Sequence, residues 1–106
     1  MKYEYVKNRV AGAVFELCTG AGDVRSRLLS AHTEISMLVE NQFPNELLGL
    51  WHEIHRMLTK HGAALDFEGK ISLGAIPNTL SKIKNSTGVK IAKKLYELHK
   101  QLQSHH

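Results

Sequence analysis

Apolar side chains recur at steps of three and four residues over four separate stretches of this chain, and that spacing constrains its fold more than any other feature. Val6, Val10, Ala13, Val14 and Leu17 form the first set. Val24, Leu28, Ala31, Ile35, Leu38 and Val39 form the second. Leu47, Leu50, Trp51, Ile54, Met57 and Leu58 follow, and Ile91, Leu95, Leu98 and Leu102 close the series. Wound at 3.6 residues per turn, each set lies along one side of a helix. Leaving a large apolar side chain in water costs roughly 1.5–3 kcal/mol, so no single one of these helices should stand alone.

Breaks between the stripes set the boundaries. The spacing predicts a first helix from about Tyr3 to Cys18, stopped by "TGAGD", with Gly20 as a left-handed cap. Asp23 then suits the cap of a second helix, accepting the free N–H groups of Arg25 or Ser26 and pairing with Arg27 one turn on. "NQFP" ends that pattern, and Pro44 fits the first turn of a third helix, where its missing N–H costs nothing. His61 and Gly62 end the third. Residues 63–76, "AALDFEGKISLGAI", set Phe67, Ile71 and Leu73 between glycines. A lone two-stranded ribbon is marginal in water, so a packed loop with a helical turn is expected there. A short helix from about Pro77 to Lys84 and a last one from about Thr87 to Gln103 complete the chain. Short connections place the first three helices antiparallel. The expected fold is all-α: a small antiparallel bundle of four main helices, plus a short helix and an irregular 63–76 connection, in a single domain over residues 1–106.

Composition agrees. At 106 residues the chain has a core of its own, burying about 60–70% of its unfolded surface. Its 42% hydrophobic and 23% charged residues are ordinary for a globular protein. The one cysteine, Cys18, makes no internal disulfide, which suits a reducing compartment. At the end of the first helix it is expected to be a small core residue. "AGAVFELC" has the outline of a lipoprotein signal, but Arg9 and Glu16 bracket too short a run, and Glu16 stands where a small residue is needed. No run reaches the ~20 apolar residues of a membrane span. A cytoplasmic protein without a membrane contact is expected. His105 and His106 are set aside as tag-like.

Several chemistries fail on spacing. "WHEIH" differs from the zinc-protease motif because its histidines, His52 and His55, stand three apart, with Glu53 projecting about 100° away from each neighbour. No Cys or Asp cluster supplies further metal ligands. "GAGDVRSR" sets glycines before a helix N-terminus, but Asp23 occupies the N–H groups an anion would need, and neither the lysine of a P-loop nor a third glycine follows. No nucleophile is paired with a base. The expectation is a protein without enzymatic activity, metal or cofactor.

Charge is unevenly spread. Residues 1–69 hold seven Lys/Arg against nine Asp/Glu, a net of −2, whereas residues 70–106 hold seven lysines against Glu97 alone, a net of +6. "NSTGVKIAKKL" resembles the turn of a helix-turn-helix, with Gly88 as turn glycine and Ile83 and Val89 inward. Lys84, Lys94 and Glu97 then take positions that want small or apolar residues. The same stretch is similar to a helix-hairpin-helix, but Ser86 and Thr87 replace a glycine and an apolar residue. Taken together, "TGAGDVRSRLL" and "NSTGVKIAKKL" resemble short helical proteins of bacteria. That resemblance covers about a fifth of the chain and implies a helical fold and no particular activity.

Two functional expectations remain. In the first, the protein is an interaction module, self-associating or adapting to another protein, with Leu29, Met37 and Leu48 lying off the core stripes as a partner surface. In the second, Lys82, Lys84, Lys90, Lys93, Lys94 and Lys100 contact nucleic acid. A handful of phosphate contacts supports non-specific binding at about 10⁻⁴–10⁻⁶ M.

Overall fold

A computed structural model describes residues 3–105. The chain is mostly helical, in the order α1 (Glu4–Thr19), α2 (Val24–Ile35), α3 (Leu48–Leu58), a ribbon of β1 (Ala64–Leu65) and β2 (Ile71–Leu73), then α4 (Ala75–Lys82) and α5 (Asn85–Gln103). His106 lies outside the described residues.

The predicted stripes supply the interior. Val6, Val10 and Ala13 of α1, Leu28, Ala31 and Ile35 of α2, Trp51, Ile54 and Leu58 of α3, and Ile91, Leu95, Leu98 and Leu102 of α5 are buried in one cluster. Helix α1 lies chiefly against α2 and also against α5, while α5 touches α2 and α3 as well. Two 3-10 turns, Glu40–Gln42 and Asn45–Leu47, bracket Phe43 and Pro44, and Phe43 stacks on Trp51 with ring centroids 4.7 Å apart. Pro44 therefore precedes a 3-10 turn and does not open α3 itself.

Two arginines lock α1 to α2 through carbonyls that helix ends leave free. Arg9 donates from Nε to the Glu34 carbonyl at 2.8 Å, and Arg27 donates from Nη1 to the Leu17 carbonyl at 3.3 Å. The remaining corner departs from expectation in its details. Gly20 is extended, at φ −65°, and Gly22 takes the left-handed conformation, at φ +84°. Asp23 caps α2 by accepting from the Ser26 N–H at 3.0 Å, as predicted, but its ionic partner is Arg25 at 3.1 Å. Arg27 is already committed to α1 and to the Gly22 carbonyl. Cys18 is exposed and does not join the core as expected. Helix α2 stops at Ile35, so Leu38 reaches the core from a loop and Val39 is left exposed.

Residues 63–76 differ most. They form the ribbon thought too weak to stand, with Leu65 opposite Ile71 and Ala64 opposite Leu73 in antiparallel register. Local hydrogen bonds build it. The Asp66 N–H donates to the Lys70 carbonyl at 2.8 Å, the Gly69 N–H to the Asp66 carbonyl at 3.0 Å, and Asp66 Oδ1 accepts from the N–H groups of Glu68 and Lys70, each at 2.9 Å. Gly69, at φ +81°, closes the three-residue loop, a position where only glycine is unstrained.

Candidate protein-interaction surface

The ribbon is held at its root and bare at its tip. Behind it, Thr79 is fully buried and its Oγ1 accepts from the His61 N–H at 3.0 Å, while Asn78 Nδ2 donates to the Gly62 carbonyl at 2.8 Å. These two residues of α4 clamp the chain where it leaves α3. At the far end Phe67 is 98% exposed, and Leu65 and Ile71 are 61% and 70% exposed. An ordered turn thus presents a row of large apolar side chains to solvent, the arrangement that marks partner surfaces. Sequence reasoning missed it, although "DFEG" carried a signal: Asp at the first and Gly at the fourth position of a turn.

A second unfilled feature lies between α1 and α5. Val14, Leu17, Val24, Val89, Ala92 and Tyr96 line an open groove of about 510 Å³ that is almost wholly apolar, with Cys18, Lys93 and Glu97 at its edges. Val89 is exposed here and not inward as the helix-turn-helix frame requires. Gly88 is no turn residue either. It is buried in the first turn of α5, where an added Cβ would come within 2.8 Å of Val24 Cγ1.

The six candidate lysines do not form one face. Lys94 turns toward α3 and pairs with Glu53 at 2.8 Å, a hydrogen bond and charge that hold the Glu53 carboxyl below the usual range. Lys100 pairs with Glu97 at 3.4 Å and lies 5.7 Å from the Tyr96 ring centroid. The Glu97 carboxyl is likewise lowered, first by the hydrogen bond from Gln101 and then by Lys100. Lys93 borders the groove on the other flank of α5, and Lys90 is exposed. Lys82 and Lys84 converge with Lys60 on a separate cleft of about 380 Å³.

Leu29 and Met37 are exposed, Leu29 beside α4 and Met37 beyond the end of α2, whereas Leu48 is half-buried against the core. Of the histidines, His52 lies 2.8 Å from Glu40, in a cleft shared with His55. Glu34 and Glu53 lie elsewhere, paired with Arg9 and Lys94. Among the described residues no three His, Cys, Asp or Glu side chains come together as a metal site would require, and no helix is long and apolar enough to cross a membrane. His105 is half-buried, edge-on to Tyr3 with centroids 6.0 Å apart.

No protein-family model, curated protein or solved structure matches the chain.

Proposed function

We propose that this protein is a non-enzymatic, cytoplasmic interaction module, a single antiparallel helical bundle over residues 1–106 whose recognition element is the ribbon. The observation that carries this reading is Phe67, standing in solvent on a turn ordered by its own hydrogen bonds. Burying such a ring contributes roughly 1.5–3 kcal/mol, which favours a partner over solvent. Leu29 and Met37 add exposed apolar surface elsewhere on the molecule. The short α1–α2 corner and the contacts of α5 with α1, α2 and α3 support the bundle arrangement. A benzophenone amino acid placed at position 67 and irradiated in the living source cell is expected to give a protein adduct, with itself or with another chain. Clean recovery of unmodified monomer would sink the reading.

A second reading rests on the cleft of Lys60, Lys82 and Lys84, none of which has a carboxylate partner among the described residues. With Lys90 and Lys93 these could engage nucleic acid phosphates. Four such contacts on duplex DNA give log K a slope of about −3.6 against log salt. A duplex titration at two salt concentrations tests it, and no retention on heparin at low salt would end it.

A further inference from the structure

The ribbon and the α1/α5 groove are each incomplete, one an apolar projection with no cover and the other an apolar recess with no filling. We infer that the ribbon of one copy of this chain docks in the α1/α5 groove of a second copy. This deepens the proposal that the ribbon is the recognition element, and it rests on that proposal.

Three observations identify the occupant. The first is chemical match. The groove offers Val14, Leu17, Val24, Val89, Ala92 and the Tyr96 ring, and the ribbon offers Leu65, Phe67 and Ile71. At about 510 Å³ the recess falls within the range of roughly 300–1,000 Å³ typical of binding pockets.

The second is charge. The ribbon tip carries Asp66 and Glu68 against Lys70, a net negative end. Lys93 stands at the rim of the groove without a carboxylate partner among the described residues, and Lys90 is exposed one turn earlier. Among the described residues lining that rim the one acid is Glu97, already offset by Lys100 at 3.4 Å. Glu68 holds Lys70 only loosely, at 3.8 Å and largely in solvent, so it is free to turn to a new cation. In this contact the tip acids Asp66 and Glu68 meet the lysines Lys90 and Lys93 of the α5 wall.

The third is that the chain does not satisfy itself. Phe67 touches almost nothing of its own molecule. Two tips brought together would instead set Asp66 and Glu68 of one copy against the same acids of the other. Mutual exchange, each copy giving its ribbon and receiving its partner's, forms a closed two-fold dimer in which both contacts are equivalent.

Cys18 provides the test, being exposed at the edge of the groove and the chain's only cysteine. A chain carrying Cys18→Ser and Glu68→Cys has its thiol on the ribbon; the natural chain has its thiol at the groove. Mixed and mildly oxidised, the two are expected to give a disulfide between positions 68 and 18, which requires Cα atoms within about 4.4–6.8 Å. In parallel, sedimentation of the natural chain is expected to show a concentration-dependent dimer. Phe67→Ser and Val89→Asp, both at exposed positions that leave the thermal melt in place, should each weaken it by about tenfold or more, and a one-to-one mixture of the two should recover association through the remaining intact contact. A strict monomer at every concentration would overturn the inference. So would a predominant disulfide between two positions 68, or association unaffected by Val89→Asp. If the photo-adduct at position 67 then proves to be another protein, the interaction reading stands while the self-docking fails.

Discussion

Two glycines in helices illustrate how one side chain's surroundings reverse the sign of the same substitution. In α3, Gly49 is exposed, with nothing near a would-be Cβ. Gly49→Ala should therefore raise stability by about 0.5–1 kcal/mol through helix propensity. In α5, Gly88 lies against Val24, and overpacking there costs about 1–3 kcal/mol, more than the propensity gain. Gly88→Ala should lower the urea midpoint, and an unchanged or higher midpoint would contradict the close α2–α5 approach. Leu95→Ala, at a fully buried position, should cost about 2–5 kcal/mol in the same measurement. The sequence marked Leu95 by its period and set Gly88 within the last helix, yet nothing local shows that Gly88 is there to admit a neighbouring helix. The Asp23 cap was readable because it is local, three residues to Ser26; its ionic partner was misjudged because Arg27 is claimed by α1.

Among elements, the ribbon depends on α4. Thr79→Val keeps the shape but removes the acceptor for the part-buried His61 N–H, at a cost of about 1 kcal/mol. Faster amide exchange at His61 and across 64–73 is the expected sign that the ribbon root has loosened; unchanged exchange would show that the ribbon is held by its own turn alone. Helices α3 and α5 are joined at their surface by Glu53 and Lys94. The Glu53 carboxyl is held below its ordinary value, mainly by the Lys94 hydrogen bond, so the unfolded chain binds a proton there at higher pH than the folded one. That contribution is present above the ordinary carboxylate range and is lost as pH falls through it. Glu53→Gln should make the acid limb of the stability curve shallower. Asp23, lowered by the Ser26 N–H and by Arg25, and Glu97 act in the same direction.

For the molecule as a whole, the pH curve should have an earlier stage as well. His32 is half-buried with its Nδ1 unpartnered, and burial lowers its pKa from the ordinary 6.5. The unfolded chain then takes up that proton first, so stability is full above pH 6.5 and declines as pH falls below it. His32→Gln should remove this early decline in urea titrations between neutral and mildly acid pH, and a decline that persists would place its origin elsewhere. The overall shape is extended: the radius of gyration is 14.1 Å, where about 13 Å is typical for this length. A 19-residue helix reaches about 28 Å, so helix length alone does not account for the 48 Å long dimension. By itself the sequence determined the helical class and which side of each helix is apolar, because a period of 3.6 is written within a dozen neighbouring residues. The tertiary structure decided what those residues meet: that Cys18 and Val89 border an open groove, that Lys94 turns to Glu53 and Lys93 does not, and that 64–73 stands out as a ribbon. Those outcomes depend on which element covers which, through contacts between residues far apart in the chain, and no local period records them.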